Sequence, residues 1–239
     1  MTAPRRAFAV ECDSERLETT SPEERLAFAV RTWGERLLFT SSFGAGSGVL
    51  LHMWSRIAPK HPVVVIDTGF LFEETHEYIA TLSRQLGLMV EYARPAQPRD
   101  AFLREHGPDV MARDPDLCCA RNKVAPLRPY LARAEAWVSG LRRDQAATRE
   151  RVPILQATDG GPVKVHPLAT VTATEASEYL ERHGIAEHPL RAKQYLSIGC
   201  WPCTRPVEDG AQERAGRWAG RGKTECGLHT SLTARGTPS

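Results

Sequence analysis

The sequence predicts an α/β protein built on a mostly parallel open sheet that is flanked by helices. The runs Leu37–Thr40, Val63–Ile66 and Leu88–Tyr92 are apolar and have the length of buried strands. Between them, residues 49–57 and 78–86 carry apolar side chains at helical spacing. Strands that alternate with helices form parallel sheets with helices on both faces. Further apolar runs, at residues 136–139 and 163–168, extend the predicted sheet.

The composition is that of an ordinary globular chain, with 239 residues, 41% hydrophobic and 25% charged. A net charge of +2 is too small to indicate a nucleic-acid or membrane partner. No apolar run approaches the roughly 20 residues that span a bilayer. The apolar stretch after Arg5-Arg6 is too short for a signal peptide. We therefore expect a cytoplasmic protein, in a compartment that keeps thiols reduced.

The length of the chain predicts one domain with an extension. We place the domain at residues 1–210 and a mobile tail at residues 211–239, because apolar residues become rare near the end. Residues 1–20 are polar, and we expect them to be poorly ordered. Residues 94–117 are rich in proline and charge, and we expect an irregular segment with one short helix. Capping boxes predict two helix starts, Ser21 with Glu24 and Thr172 with Glu175.

A glycine- and serine-rich loop, Ser41–Gly48, joins the first predicted strand to a helix. In such a turn the glycines let the backbone approach an anion, and free N–H groups at the helix start attract it. The loop is neither of the Gly-x4-Gly-Lys-Ser/Thr type nor of the Gly-x-Gly-x-x-Gly type. A phosphate site and a simple tight turn both stay open. Asp67 ends the second strand, where open sheets bind ligands, and it could bind a ribose or adenine or cap the next helix.

Six cysteines in a reducing compartment indicate metal binding or catalysis before disulfides. Four of them form two pairs, Cys118-Cys119 and Cys200-x2-Cys203, whereas Cys12 stands alone and has no partner pattern. Zinc sites usually draw two ligands from each of two Cys-x2-4-Cys turns, and the adjacent pair departs from that pattern. The spacing therefore favours an iron–sulfur cluster, with structural zinc and unrelated buried thiols as alternatives.

The segment Lys223–His229 contains a single thiol, Cys226, near the end of the chain. Lys223 and a protonated His229 are cations that could lower the pKa of this thiol, and the thiolate is the reactive form of cysteine. A stray cysteine in a frayed tail is the alternative.

Arginines cluster in two places, the loop at residues 140–151 and the approach to Cys226. The first holds Arg142, and the second holds Arg214 and Arg217. Arginine forks recognise phosphate and sulfate with paired hydrogen bonds. A solvated charged loop is the alternative for the first cluster.

Together these motifs resemble the assimilatory adenylyl-sulfate (APS) and phosphoadenylyl-sulfate (PAPS) reductases. The matching motifs are Ser41-Ser42-Phe43-Gly44, Asp67-Thr68-Gly69, Gly140-Leu141-Arg142-Arg143 with Gln145 and Arg149, and Glu225-Cys226-Gly227-Leu228-His229. The two cysteine pairs resemble the 4Fe-4S subgroup, which prefers APS. The resemblance implies an adenine nucleotide α-hydrolase-like (PP-loop) fold and an oxidoreductase of sulfate assimilation. It would reduce APS to sulfite and AMP, with a thioredoxin or similar thiol reductant as its partner.

The resemblance also implies roles for individual residues. Cys226 would be the nucleophile, carrying the sulfonate as an S-sulfocysteine. The cluster ligands would be Cys118, Cys119, Cys200 and Cys203. The residues that match substrate-binding positions are Ser41, Ser42, Phe43, Gly44, Asp67, Lys123, Arg142, Arg214, Arg217 and His229. Ala146 departs from the pattern, because a serine usually follows Gln145 there.

Three other functions stay open at this point. A PAPS reductase is the nearest, although that subgroup lacks the two cysteine pairs. An ATP-using PP-loop enzyme would carry a Ser-Gly-Gly-x-Asp-Ser loop, from which Phe43 departs. A zinc-stapled nucleotide-binding module would have no reductase activity. The sequence does not give the oligomeric state, and a homo-oligomer stays open.

Overall fold

The structure is a computed structural model that describes residues 3–220, 223, 225 and 227–230. Its strands are β1 (Leu37–Phe39), β2 (Val63–Ile66), β3 (Val90–Ala93), β4 (Ala136–Val138), β5 (Leu155–Gln156) and β6 (Val163–Val165). Its helices are α1 (Ala3–Leu17), α2 (Pro22–Trp33), α3 (Ser47–Ile57), α4 (Glu73–Leu86), α5 (Arg99–His106), α6 (Val110–Arg113), α7 (Pro115–Cys119), α8 (Ala125–Arg133), α9 (Ala173–Arg182) and α10 (Gly227–Thr230).

The predicted mostly parallel sheet is confirmed. Strands β1, β4 and β6 pair in parallel, and β5 closes this edge as an antiparallel strand. Strands β2 and β3 form a second parallel pair. A parallel bridge between Thr40 and Val64 joins the two groups just beyond β1. The strands thus lie in the order β3-β2-β1-β4-β6-β5, and β1, β2 and β4 end at a common edge.

The sheet has an apolar layer on each face, because successive side chains of a strand point in opposite directions. Phe39 packs with Trp54 of α3 in the larger layer. Leu38 packs in the smaller layer, with Leu127 of α8. Trp218 and Leu228 also belong to the smaller layer, so described residues of the tail pack on the sheet. How far residues 211–239 move stays a prediction.

Two expectations about irregular segments were wrong. Residues 1–20 are largely helical, since α1 buries Val10 and Leu17 and its Ser14 hydroxyl accepts a hydrogen bond from the Leu155 N–H at 3.0 Å. The segment at residues 94–117 contains α5, α6 and the start of α7 instead of one short helix. Its helices are held by an apolar cluster that comprises Phe70, Phe102, Val110 and Met111.

Both predicted capping boxes are confirmed, at the starts of α2 and α9. Helices α7 and α8 are continuous through a π-helical turn, Ala120–Val124, that directly follows the adjacent cysteines. Such turns occur frequently at functional sites because they change which side chains share a helix face.

Candidate active site

A cavity of about 200 Å³ lies at the common edge where β1, β2 and β4 end. This is the edge at which open α/β sheets bind ligands. Seven of the predicted substrate-binding residues line it, namely Ser41, Ser42, Gly44, Lys123, Arg142, Arg214 and Arg217. The structure therefore brings together three segments that are far apart in the sequence. They are the serine loop (Ser41–Gly48), the basic loop (residues 140–151) and the described part of the tail.

The serine loop is shaped by close contacts. A Cβ added at Gly44 would lie 3.2 Å from the Ile198 carbonyl oxygen, and one at Gly46 would lie 2.9 Å from Nη1 of Arg142. Phe43 adopts a φ of +47°, and its side chain is fully buried against Tyr78. Phe43 therefore anchors the loop in the core and is not among the residues that line the cavity.

Asp67 also lies outside the cavity lining. Its carboxylate accepts hydrogen bonds from the Gly69 N–H and from Nε of Arg94, both at 3.1 Å. Its neighbour Thr68 lines the cavity instead, and the Thr68 hydroxyl lies 3.2 Å from Sγ of Cys200. Sequence reasoning missed Thr68, although it stands within the matched Asp67-Thr68-Gly69 motif.

Arg142 is held by two carboxylates. Its Nε donates to Asp144 at 3.0 Å and its Nη2 donates to Glu213 at 2.6 Å, and only 4% of its side chain is exposed. Gln145 donates to the other oxygen of Glu213 at 3.0 Å. The basic loop is therefore fastened to the tail by Glu213, a residue that the sequence analysis did not single out.

A second carboxylate of the tail, Glu225, pairs with two arginines. It accepts hydrogen bonds from Nε and Nη2 of Arg149 at 2.7 and 2.8 Å, and from Nη2 of Arg214 at 3.2 Å. Burial works to raise the pKa of Glu225, but Arg149, Arg214 and Arg217 lower it below its usual value. Glu225 is therefore ionised at neutral pH, and it lines the cavity together with Leu228.

Cys226 stands between those two residues in the sequence but lies outside the described residues. The backbone of His229 belongs to α10, whereas its side chain is not described. Lys223 reaches the start of α7, where its Nζ contacts the Asp116 carboxylate and donates to the Pro115 carbonyl at 3.3 Å. Burial works to lower the pKa of Lys223, but Asp116 and Cys119 raise it on balance.

Trp218 forms part of the wall between this cavity and the cysteine pairs. Its φ of +50° is a conformation that bulky residues rarely adopt. The charged ends of Arg214, Arg217 and Lys223 lie 5.8, 4.6 and 5.7 Å from the centroid of its ring. A cation at this distance is attracted to the face of an indole. Trp218 therefore gathers three positive charges at the wall.

The four paired cysteines all line one second, smaller cavity. Burial and the neighbouring Cys119, Cys200 and Cys203 together raise the pKa of Cys118 to about 12, against a hydrogen bond from Asn122 that lowers it. Within the described parts of the chain, however, no three His, Cys, Asp or Glu side chains form a group that could hold a metal ion as they stand.

Two buried donors in the walls of this second cavity bear on what it could hold. Nε of Arg217 and Nε1 of Trp218 have no hydrogen-bond partner among the residues that the structure describes. Buried donors are nearly always paired in folded proteins, so each calls for an acceptor. A group that carries sulfur or oxygen acceptors between the cysteines fits these donors, and thiolates are the ligands that iron–sulfur clusters use.

The described helices offer no membrane-spanning segment, since none of them has the required length and apolarity.

The phosphoadenosine phosphosulfate reductase domain family matches residues 36–206. The chain is similar to the adenosine 5'-phosphosulfate reductase of Halalkalibacterium halodurans, with 40% identity over 89% of this chain and 93% of the relative. It is likewise similar to the Streptomyces coelicolor enzyme of the same name, with 42% identity over 89% and 90%.

Solved structures agree with this similarity. The phosphoadenylyl-sulfate reductase from Candida auris, in a phosphate complex, superposes with a TM-score of 0.70 at 25% identity over 83% of this chain and 96% of that one. The FMN adenylyltransferase of Candida glabrata shares the fold, with a TM-score of 0.57 at 16% identity over 90% and 76%. Fold, site and relatives agree, and the chain belongs to the phosphoadenosine phosphosulfate reductase family.

Proposed function

We propose that this protein reduces APS to sulfite and AMP with electrons from a thioredoxin-type dithiol. The observation that carries the proposal is that Glu225 and Leu228, which flank Cys226 in the sequence, line the same cavity as the serine loop and the arginines. This supports a site in which the thiol next to Glu225 in the sequence serves a bound nucleotide anion. Relatives with about 40% identity are named adenosine 5'-phosphosulfate reductases, which favours APS over PAPS.

In the first step the Cys226 thiolate attacks the sulfur of APS. A bond forms between Sγ and the sulfonate sulfur, and the bond from that sulfur to the phosphate oxygen breaks. AMP leaves with the electron pair, and an S-sulfocysteine stays on the protein. Covalent catalysis of this kind divides one difficult displacement into two easier steps.

In the second step a thiolate of the reductant attacks Sγ of Cys226 and sulfite leaves with the bonding electrons. The partner's second thiol then attacks the mixed disulfide, which restores the Cys226 thiol and oxidises the partner to a disulfide. The two electrons that reduce the substrate thus come from the dithiol. The thioredoxin-type partner and a cytoplasmic location stay predictions from the sequence.

The chain's own cations fit the charge that develops in the first step. Arg142, Arg214, Arg217 and Lys123 line the cavity, and both the sulfonate and the departing phosphate are anionic. Cations placed in advance around a developing negative charge stabilise the transition state without reorganisation. Arg217, whose charged end lies 4.6 Å from the centroid of the Trp218 ring, contributes to the same field, whereas Glu225 and Asp116 offset the charges of Arg214 and Lys223.

A 4Fe-4S cluster held by Cys118, Cys119, Cys200 and Cys203 is part of the proposal. The four cysteines around one cavity support it, as do two donors in the wall shared with the first cavity that have no partner among the described residues. When bound, the cluster would order the nearby basic groups and tune their field, without passing electrons to the substrate. Lys123 and Thr68 line both cavities, so they connect the cysteines with the substrate.

The test is the intact mass of anaerobically purified protein after APS is added without reductant. We expect a gain of one SO3 group on Cys226, with release of one AMP, and discharge as sulfite when reduced thioredoxin is added. The Cys226→Ser variant should gain no mass. Adduct from PAPS in preference to APS would favour the PAPS reductase. AMP binding with zinc, no iron and no adduct would favour the non-enzymatic module.

A further inference from the structure

Arg149 donates a hydrogen bond to the protein from each of its three side-chain nitrogens, although it lines the cavity. Its Nε and Nη2 both donate to Glu225, and its Nη1 donates to Oε1 of Gln145 at 2.5 Å. Each of its three nitrogens thus has an oxygen partner within the chain. The side chain is 10% exposed, so water competes little for these hydrogen bonds. Arg149 is therefore built as an anchor for the tail more than as a ligand for the substrate.

Glu225 is the group that this anchor holds. Only 11% of its side chain is exposed, and both of its oxygens are engaged by arginines. A bidentate pair between a guanidinium and a carboxylate fixes orientation as well as distance. Separating a buried pair leaves each charge uncompensated, so moving Glu225 away from Arg149 costs free energy.

Glu225 lies one residue before Cys226, the thiol that the proposed function uses. We propose that Glu225 is a positioning residue, which fixes the tail through Arg149 and Arg214 so that Cys226 is presented to the sulfur of the bound nucleotide. This inference rests on the proposed function. Glu225 itself does not touch the reacting atoms in this scheme. It acts on the rate of attack, since misplacing a reacting atom by about 1 Å can cost about 100-fold in rate.

A competing role is that Glu225 occupies the place of the substrate anion and must be displaced. The two roles predict opposite effects of removing the charge. A placeholder would, when neutralised, free the arginines and strengthen nucleotide binding. A positioning residue would, when neutralised, leave nucleotide binding almost unchanged and slow the attack.

The experiment compares wild type with Glu225→Gln, which keeps size and loses charge, and with Glu225→Asp, which keeps charge but is shorter. The rate constant of adduct formation is measured by rapid-quench intact mass at saturating APS. Binding of AMP is measured by calorimetry on the same preparations. We expect Glu225→Gln to slow adduct formation about 100-fold and to change the Kd of AMP by less than about threefold. Glu225→Asp should recover part of the rate.

The matched control is Glu135→Gln, which neutralises a carboxylate in the exposed Arg36–Glu135 pair just before β4, at the end of the strand away from the cavity. It should behave as wild type. Arg149→Lys keeps the charge but loses the fork, and we expect it to slow the attack as Glu225→Gln does.

Three results would overturn the inference while the proposed function stands. They are an unchanged adduct rate in Glu225→Gln, tighter AMP binding with a faster reaction, and loss of AMP binding together with the rate. Absence of the adduct in wild type would instead overturn the proposed function itself.

Discussion

The hydroxyl of Ser139 lies 3.0 Å from Nδ1 of His166, so a side chain that lines the cavity is supported by a buried imidazole. Burial, together with the charges of Lys164 and Arg149, lowers the pKa of His166 to about 3. His166 is therefore neutral in the folded protein at any pH at which the enzyme would work. Its neutral ring can hold the Ser139 hydroxyl in one orientation at the wall.

The pKa of His166 predicts how stability depends on pH. The unfolded chain binds a proton at this ring below a pH of about 6.5, whereas the folded protein does not until about 3. Stability should therefore be lost as pH falls from about 6.5 towards 3, by up to about 1.4 kcal/mol per pH unit from this ring. His166→Asn should be less stable than wild type at pH 7.5 but should lose less on acidification.

Denaturant unfolding at pH 7.5 and pH 5 measures both effects of that substitution. His188 is also buried with a lowered pKa, about 4, so part of the acid sensitivity should remain in the variant. His183→Asn, at an exposed position, is the control and should keep the acid sensitivity of wild type. If His166→Asn loses as much unfolding free energy between pH 7.5 and pH 5 as wild type does, this ring is not protected from protonation.

We expect substitution of Arg25 to cause a large loss of stability. Its fully buried guanidinium donates to the carbonyls of Leu17, Glu18 and Pro167 and to the Thr170 hydroxyl, and so ties the turn between α1 and α2 to the segment after β6. Arg25→Ala removes these hydrogen bonds together with the bulk of a residue that is only 2% exposed, so we expect a loss of about 3 kcal/mol or more. Denaturant unfolding measures this, with Arg31→Ala at an exposed position as the control. A loss below about 1 kcal/mol would contradict it.

Cys203→Ser tests the proposed cluster directly. We expect the variant to lose iron and acid-labile sulfide, and most of its APS reduction with them, because a thiolate ligand is missing. Cys12→Ser is the matched control, since Cys12 is exposed and far from the cysteine pairs in the sequence. Full activity in a preparation without iron would show that the cluster is not needed.

Trp218→Phe tests the unpaired indole donor. Trp218 is 3% exposed, so Trp218→Phe should lower the unfolding free energy of both the loaded and the cluster-free protein through lost packing. If Nε1 donates to a bound sulfur acceptor, this loss should be about 1 kcal/mol greater in the loaded protein. An indole that stays unpaired would give equal losses in the two forms. Anaerobic denaturant unfolding separates the two cases, with Trp33→Phe as the control.

Local signals predicted most of the secondary structure. The capping boxes at Ser21 and Thr172 lie within four residues of sequence, and both define helix starts as expected. Helix α1 was missed because its burial depends on contacts with β5, in a segment of the chain far away. Sequence alone does not report such contacts.

At the site, too, local motifs were predicted from the sequence and contacts between distant segments were not. Motifs gave the positions of Phe43 and Asp67, but the direction of each side chain depends on the tertiary structure, and both point away from the cavity lining. Glu213 was not singled out and Glu225 was named only as part of a motif, because they pair with arginines 71 and 76 residues away. Pairing of charges over such separations leaves no periodic pattern in a single sequence.

The backbone of the tail is paired with the loop of the second cysteine pair. Trp218 donates its N–H to the Cys203 carbonyl at 3.0 Å, and the Arg205 N–H donates to Gly216 at 2.9 Å. Damage by oxygen to a cluster held by Cys203 would therefore loosen the tail as well as the metal site.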